Sequence, residues 1–263
     1  MTTVTQVCQF LEAFAPLRLA EDWDNVGLLV GDRERPIANL MTCLTITPEV
    51  VDEAIAKHAE LIVTHHPLPF RPLKRITADD VTGGILLKLI EHRVAVYSPH
   101  TSFDSASQGI NQCLAEALGI VDPQPIEPIE NDPDELGSGR YGALPHPISL
   151  GDFAEAVKAF LRLGGLHIVG EARQPVFRVA VACGSAGQFL SPALRVGCDC
   201  LVTGETNFHT CLEAKANGAA LVLSGHYASE RFALEVLANQ LRDEFPDTIV
   251  WASVEESDPL HWV

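Results

Sequence analysis

The chain has 263 residues, of which 47% are hydrophobic and 20% are charged, a composition typical of a globular protein and unlike that of a disordered one. Its 35 acidic and 18 basic residues give a formal net charge of −17, which would repel nucleic-acid phosphates and anionic lipids. We therefore expect neither a nucleic-acid-binding nor a membrane protein, although bound metal ions could still attract a small anionic substrate.

The start of the chain predicts an amphipathic helix rather than an export signal, because it lacks a basic segment and Glu12 interrupts its apolar stretch. No apolar run approaches the roughly 20 residues that a membrane-spanning helix needs. The seven cysteines include no CxxC pair, and the alternating Cys198 and Cys200 favour structural roles over a soft-metal site. These features predict a protein of the reducing cytoplasm.

Short β-branched runs alternate with helical patterns along the first half of the chain. The predicted elements are a strand at 39–46, a helix at 48–58, a strand at 60–63, a helix at 81–92, a strand at 94–98 and a helix around 107–118. This repetition indicates βαβ crossovers and therefore α/β domains with largely parallel sheets.

Residues 120–138 are rich in proline and acidic residues and predict a domain boundary or an exposed connection. The α/β pattern then resumes. Its predicted elements are a strand at 140–144, a helix at 149–163, strands at 176–183, 200–203 and 219–224, a helix at 226–244 and a final strand at 248–252. We predict two α/β domains, one of residues 1–126 plus 221–263 and one of residues 127–220.

Three polar clusters follow predicted strands, the position at which open α/β sheets bind ligands. In the first, His65 and His66 come directly after a buried strand. Side chains alternate along extended backbone, so we expect these two imidazoles to serve different ions rather than chelate one ion together. A polar strand exit without a ligand role is the alternative.

The other two clusters combine imidazole with carboxylate. His100 and Asp104 follow the strand at 94–98, where His100 could bind or orient a ligand and Asp104 could instead cap the next helix. His226 and Glu230 lie four residues apart at a helix start, so their side chains share one face. The same spacing also occurs on solvated helices.

Together the clusters supply three imidazoles and two carboxylates, with His100 as a sixth polar group. The five ligands are His65, His66, Asp104, His226 and Glu230. They are too many for one tetrahedral site and predict two open sites joined by a bridging carboxylate. Such sites suit Zn, Mn, Fe or Ni, and the ligand types do not identify the metal.

The motifs THHP, HTxxD and GHxxxE that carry these residues resemble those of the Nif-three-like dinuclear metal-centre proteins, often labelled GTP cyclohydrolase type two-like. DNVGLLVG, GSGRYG, CGSAG and TGE are similar to further motifs of that family and occur in the same order, so the resemblance covers nearly the whole chain. The length resembles the short form without an inserted domain. The resemblance implies two interlocked α/β domains, a two-ion site at their junction, a toroidal homohexamer, and the same five residues as ligands, with Glu230 as the bridge.

Two further groups are candidates for chemistry. Glu205 and His209 are four residues apart after a strand and could transfer protons or bind substrate, as could His100 and Glu230. Glu205 could instead simply favour a first helical turn. Relatives often carry two histidines after TGE, whereas this chain has Phe208 before His209, so a role for the first position is in doubt.

Arg140 in GSGRYG could bind a substrate phosphate bidentately, or it could belong to an ordinary turn. DNVGLLVG predicts a core strand, with Asp24 and Asn25 in a turn before it.

The leading hypothesis is a metal-dependent hydrolase that acts on a nucleotide-like or small phosphorylated compound through metal-activated water. The resemblance implies hydrolysis of the imidazole ring of GTP, but a phosphoesterase would use the same ions. The alternative is a non-catalytic metal-binding or adaptor protein that handles metal. The net charge of −17 disfavours a role in DNA processing.

Overall fold

The computed structural model describes residues 1–261, which form two compact α/β units. Unit 1 comprises Met1–Phe103 and Ala233–Ser257, and unit 2 comprises Asp104–Phe232 with the described residues from Asp258 onward. The predicted fold class is confirmed, and the predicted assignment of residues to domains stays a prediction. No helix within the described part is both long enough and apolar enough to cross a membrane.

The strands and α-helices are numbered in chain order. The strands are β1 (Gly27–Val30), β2 (Asn39–Cys43), β3 (Leu61–Thr64), β4 (Ala95–Ser98), β5 (Val121–Gln124), β6 (Glu127–Pro128), β7 (Gly137–Ser138), β8 (Arg140–Ser149), β9 (His167–Val169), β10 (Pro175–Ala182), β11 (Cys200–Thr203), β12 (Ala220–Leu223) and β13 (Ile249–Ala252). The helices are α1 (Val4–Phe14), α2 (Pro48–Ala56), α3 (Val81–Glu91), α4 (His100–Ser105), α5 (Ile110–Ala117), α6 (Leu150–Leu161), α7 (Leu190–Arg195), α8 (Phe208–Ala216) and α9 (His226–Glu244).

Unit 1 contains a five-stranded sheet in the order β1-β4-β3-β2-β13. The last four strands of this order are mutually parallel, and the edge strand β1 is antiparallel to β4. Strands β3 and β4 are buried at every position, as expected for parallel strands covered on both faces. The two strands end at Thr64 and Ser98, so the residues that follow emerge at one edge of the sheet.

Unit 2 contains a six-stranded sheet in the order β5-β8-β10-β11-β12-β9, whose parallel centre β10-β11-β12 has antiparallel neighbours. Alternate residues of the central strands enter two separate cores. Val179 and Val181 of β10 join one core, while Ala180 joins the other. Cys198 and Cys200 are both buried and belong to different cores, which agrees with structural roles for both thiols.

Residues 120–138 are mostly exposed, as predicted, but they also form the three short strands β5, β6 and β7. Strand β5 pairs with β8 at the edge of the six-stranded sheet, and β6 pairs with β7. A sheet edge tolerates the missing N–H of proline. The proline content therefore marks short edge strands within this exposed segment.

The segment after β4 also differs from expectation. Asp104 lies inside the short helix α4, and the following helix α5 begins after Gly109 rather than near Ser105. The capping alternative for Asp104 is therefore wrong. The short strand β9 is absent from the sequence prediction, because three residues are too few to establish an alternating pattern.

Glu53 on α2 connects the segment after β13 to the rest of unit 1. Its nearly buried carboxylate accepts hydrogen bonds from Lys57 Nζ at 2.8 Å, from Val254 N at 3.1 Å and from Trp251 Nε1 at 3.2 Å, and from Ser253 Oγ. Burial raises the pKa of the Glu53 carboxyl, but the hydrogen bonds from Lys57 and Ser253 outweigh burial and hold this pKa below its usual range.

We expect Glu53→Gln to lower the free energy of unfolding by about 2 kcal/mol, because several hydrogen bonds to a charged acceptor are weakened together. Urea denaturation at neutral pH measures the loss. Glu91→Gln is the matched control, since Glu91 is exposed on α3, and it should leave the unfolding curve unchanged.

The difference between Glu53→Gln and wild type should also depend on pH. The folded-state pKa lies below the unfolded value of about 4.3, so ionised Glu53 stabilises the fold fully above that value. This contribution is lost as the pH falls through the folded-state pKa. A difference that stayed constant in thermal unfolding down to about pH 3 would contradict this role of the charge.

Candidate metal centre

In unit 1, a three-histidine group (His65, His66 and His100) follows strands β3 and β4. Each imidazole offers a ring nitrogen, and these nitrogens lie within 4.8 Å of one another. The ring centroid of His65 is 5.1 Å from that of His66 and 5.0 Å from that of His100. His65 is buried, and the other two rings are partly exposed.

The expectation that His65 and His66 serve different ions stays a prediction, although their imidazoles lie closer together than the alternation of side chains along a strand predicts. The strand ends at Thr64, and the next two residues lie in a bend. The alternation of side chains applies to extended backbone, so it does not extend past Thr64. The bend allows both imidazoles to join one group.

Two of the three imidazoles are oriented through their Nδ1 atoms. His100 Nδ1 lies 2.7 Å from Asp24 Oδ1, and His66 Nδ1 lies 2.7 Å from Thr45 Oγ1. Metal-binding histidines are typically held in this way by a carboxylate or another polar group. In both rings the arrangement leaves Nε2 as the ligand atom.

Asp24 has a positioning role that the turn interpretation missed. Its side chain is fully buried and accepts hydrogen bonds from His100 and from the Thr101 backbone and hydroxyl groups. Burial raises the pKa of Asp24, but the bonds from His100 and Thr101 outweigh burial and lower this pKa to about 2. A charged Asp24 therefore fixes the orientation of His100 throughout the physiological pH range.

The donors of the three-histidine group fit a transition-metal ion. Zn–N bonds of about 2.0–2.1 Å allow two nitrogen ligands of one ion to be at most about 4.2 Å apart. The nitrogens of the group lie within 4.8 Å of one another, so adjustments on the order of an ångström would bring them to bonding distance. Imidazole nitrogen is a preferred ligand of Zn, Fe and Ni.

Unit 2 contains a carboxylate–histidine group (His226 and Glu230). The four-residue spacing at the start of α9 brings His226 Nε2 to 3.2 Å from Glu230 Oε2. The hydrogen bond to Glu230 and the contact with Glu205 raise the pKa of His226 to about 9, although burial lowers it. At neutral pH the ring is therefore a cation, with Nδ1–H toward Glu205 and Nε2–H toward Glu230, and a metal ion would have to displace one of these protons.

Cys183 contacts Asp104 from the end of β10. Its thiol donates to Asp104 Oδ1 at 3.1 Å, and Asn111 Oδ1 accepts a hydrogen bond from the Cys183 backbone N–H at 2.8 Å. Burial raises the pKa of the Cys183 thiol well above its usual value, and Asp104 and Glu230 raise it further. Cys183 is thus a protonated thiol that orients Asp104, a role that the sequence analysis did not identify.

Two glycines allow the backbone to approach the start of α9. A Cβ atom on Gly184 would lie 2.3 Å from Glu230 Oε1, and one on Gly204 would lie 2.7 Å from Ser229 Oγ and 2.9 Å from the His226 Cα. Gly184 and Gly204 belong to the motifs CGSAG and TGE. Both motifs therefore need glycine at these positions, because a larger residue would clash with the residues at the start of α9.

Glu205 and His209 have different surroundings. Glu205 lies before α8, not in its first turn, and its Oε1 is 3.0 Å from His226 Nδ1. His209 is exposed in the first turn of α8, with its ring centroid 6.0 Å from that of Phe208. The contacts therefore connect Glu205 with a proposed ligand and place His209 beside an exposed aromatic ring.

Arg140 is buried, with 1% of its surface exposed. Its guanidinium donates to the carbonyl oxygens of Ser105, Ala106, Gly137 and Gly139 at 2.7–3.1 Å and to the Gln112 side chain at 2.8 Å. Burial lowers the pKa of Arg140 to about 10. These contacts favour the structural alternative over phosphate binding.

Comparisons with known proteins agree with these motifs. The model of the Duf34/NIF3 (NGG1p interacting factor 3) family matches residues 2–259. A GTP cyclohydrolase 1 type 2 homolog of Clostridium acetobutylicum is 34% identical and covers 90% of this chain and 89% of its own length. NIF3-like protein 1 of Drosophila melanogaster is also 34% identical, over 97% of this chain and 87% of its own. The crystal structure of a Bacillus cereus protein related to NIF3 superposes with a TM-score of 0.91 at 25% identity, over 100% of this chain and 99% of that one.

We expect Arg140→Lys to lower the free energy of unfolding by at least about 2 kcal/mol, because lysine has too few donors for the buried carbonyl oxygens around it. Urea denaturation measures the loss, and Arg173→Lys is the control at an exposed position. If Arg140→Lys left stability unchanged and weakened only substrate binding, the structural role would be wrong.

We expect Gly184→Ala to destabilise the protein by about 1–3 kcal/mol more than Gly218→Ala. Both glycines have a φ near +70°, so alanine at either position is strained by the backbone, but a Cβ on Gly218 would meet nothing within 4 Å. The excess measures the displacement of Glu230. Equal midpoints of thermal unfolding for the two variants would show that no such displacement occurs.

Proposed function

This chain belongs to the Duf34/NIF3 family, and from that premise we propose that it binds two divalent metal ions and hydrolyses a nucleotide-like or other small phosphorylated substrate. The observation that carries the proposal is the three-histidine group, whose ring nitrogens lie within 4.8 Å of one another. The proposed ligands are His65, His66, Asp104, His226 and Glu230, with Glu230 as the bridge. His100, the third member of the three-histidine group, is a further ligand or orients one.

The donor set supports catalysis by divalent ions in general. When bound, such ions supply Lewis acidity that makes water a nucleophile near neutral pH. The proposed ions are Zn, Mn, Fe or Ni, because a mixture of imidazole and carboxylate suits all four. A nucleotide is the first choice of substrate, since the clostridial relative is named for GTP cyclohydrolase.

Other residues of the chain would serve the reaction without binding metal. Asp24 would hold His100 in one orientation through Nδ1. Glu205 is about half exposed and contacts His226, so its carboxylate could accept a proton from water or substrate. His209 is exposed and could return a proton to a leaving group.

We expect His66→Ala and Glu230→Gln to lower metal affinity at least about tenfold, because each removes a proposed ligand. The measurement is elemental analysis of protein purified without added metal, followed by titration of the stripped protein. The matched controls are His146→Ala, at an exposed position on β8, and Glu235→Gln, at an exposed position on α9. Both controls should retain wild-type metal content.

The same variants test hydrolysis. Metal-loaded wild type should release product from at least one of a nucleotide, a phosphodiester and a phosphomonoester, and the two ligand variants should fall to background. If wild type binds metal and turns over no faster than these variants on any of the three, the protein handles metal without catalysis. If wild type retains less than one ion per chain at saturating supply, the metal centre itself is wrong.

A further inference from the structure

Two exposed aromatic side chains lie beside the three-histidine group in unit 1. Trp23 is 62% exposed and Phe70 is 44% exposed, and their ring centroids are 6.0 Å apart. Both contact His100 edge to face, with centroid distances of 6.0 Å from Trp23 and 6.2 Å from Phe70. We name this pair the aromatic rim. Most large aromatic side chains are largely buried, so an exposed pair at a candidate site is informative.

The aromatic rim is attached at several points to the structure around it. Asn25, two residues after Trp23, donates from Nδ2 to the Pro69 carbonyl oxygen at 2.6 Å, and Pro69 directly precedes Phe70. Asp24 lies between Trp23 and Asn25 and binds His100. Because these bonds hold the chain directly after Trp23 and directly before Phe70, the rim needs less ordering when a ligand binds.

Positive charge follows the aromatic rim along the chain. Arg71 comes directly after Phe70, and Lys74 and Arg75 follow within the same exposed segment. We name residues 71–75 the cationic loop. It carries three basic residues in a chain with 18 in total and a net charge of −17. An aromatic surface followed by cations is the combination that binds a planar base and its phosphate.

We infer that the aromatic rim and the cationic loop form a binding subsite for a mononucleotide, with the base stacked on Trp23 beside Phe70 and the phosphate bound by Arg71. The planes of the Trp23 and Phe70 rings are inclined by 65° to each other, so a base that stacks on Trp23 has Phe70 at its side. Such stacking favours a flat heteroaromatic base over a sugar alone. The planar guanidinium of Arg71 can donate two hydrogen bonds to one phosphate. The inference rests on the proposed function for the identity of the neighbouring site, and it concerns binding rather than hydrolysis.

The test uses the full chain stripped of metal with a chelator, so that binding is measured without turnover. Calorimetry with guanosine monophosphate, guanosine and ribose phosphate gives the three affinities, and quenching of Trp fluorescence reports on stacking at Trp23. We expect Trp23→Leu to lower the affinity for guanosine monophosphate and for guanosine about tenfold and to leave the affinity for ribose phosphate unchanged. Arg71→Gln should lower the affinity for the two phosphate-bearing ligands and leave the affinity for guanosine unchanged.

Matched controls separate the subsite from general surface effects. Phe208→Leu removes an exposed aromatic ring beside a histidine in unit 2, and Arg173→Gln removes an exposed cation there. Neither should change any of the three affinities. A short single-stranded oligonucleotide should bind no more tightly than the mononucleotide. Tighter oligonucleotide binding that is lost in Trp23→Leu would replace the mononucleotide with a nucleic-acid end.

The outcomes distinguish this inference from the proposed function. Suppose that wild type binds guanosine monophosphate, that the rim variants bind it less tightly, and that no hydrolysis is found. The subsite then stands and the hydrolase proposal fails. If hydrolysis occurs but Trp23→Leu, Phe70→Leu and Arg71→Gln keep wild-type affinity and KM, the subsite is wrong and the hydrolase proposal stands. Absence of nucleotide binding to folded wild type overturns the subsite.

Discussion

A bend in the backbone at His65 and His66 is the constraint on which the three-histidine group depends. The His65 N–H donates to the Cys43 carbonyl oxygen at 3.0 Å, and the His66 N–H donates to that of Leu44 at 2.8 Å. From the other side, Ser98 Oγ donates to the His65 carbonyl oxygen at 2.6 Å. The bend is thus held by the chain segments at the ends of both neighbouring strands. Because the backbone is fixed, only side-chain freedom remains to be lost when the imidazoles bind a ligand.

The sequence predicts most of unit 1 because local and tertiary preferences agree there. Strands β3 and β4 are continuous apolar runs, and parallel strands place the residues after them at one edge of the sheet. The arrangement of His65 and His66 could not be predicted, because it depends on where extended geometry stops. That point is set by hydrogen bonds to Cys43 and Ser98, which are distant in sequence.

Other contributions to the candidate site come from contacts with large sequence separation. Asp24 reaches His100 across 76 residues, and Cys183 reaches Asp104 across 79. No periodicity connects such pairs, so a carboxylate before a strand predicts only a turn and a lone thiol predicts only a core position. Gly184 differs from these residues because it belongs to CGSAG, a motif that the sequence shows. The need for glycine there is apparent only from the structure, in which Glu230 lies against it.

The chain can bind the proposed anionic ligand despite its large negative charge, because electrostatic repulsion acts only over a short distance in salt solution. At physiological ionic strength the screening length is about 8 Å, so carboxylates farther from the cationic loop contribute little to binding. Of the acids that follow the loop, Asp79 accepts a hydrogen bond from Thr77 and Asp80 caps α3. The net charge of −17 therefore acts mainly on the rate at which an anion approaches, whereas the equilibrium affinity is set by the few groups in contact with it, Arg71 among them. Composition alone excludes an extended polyanion more firmly than it excludes a single phosphate.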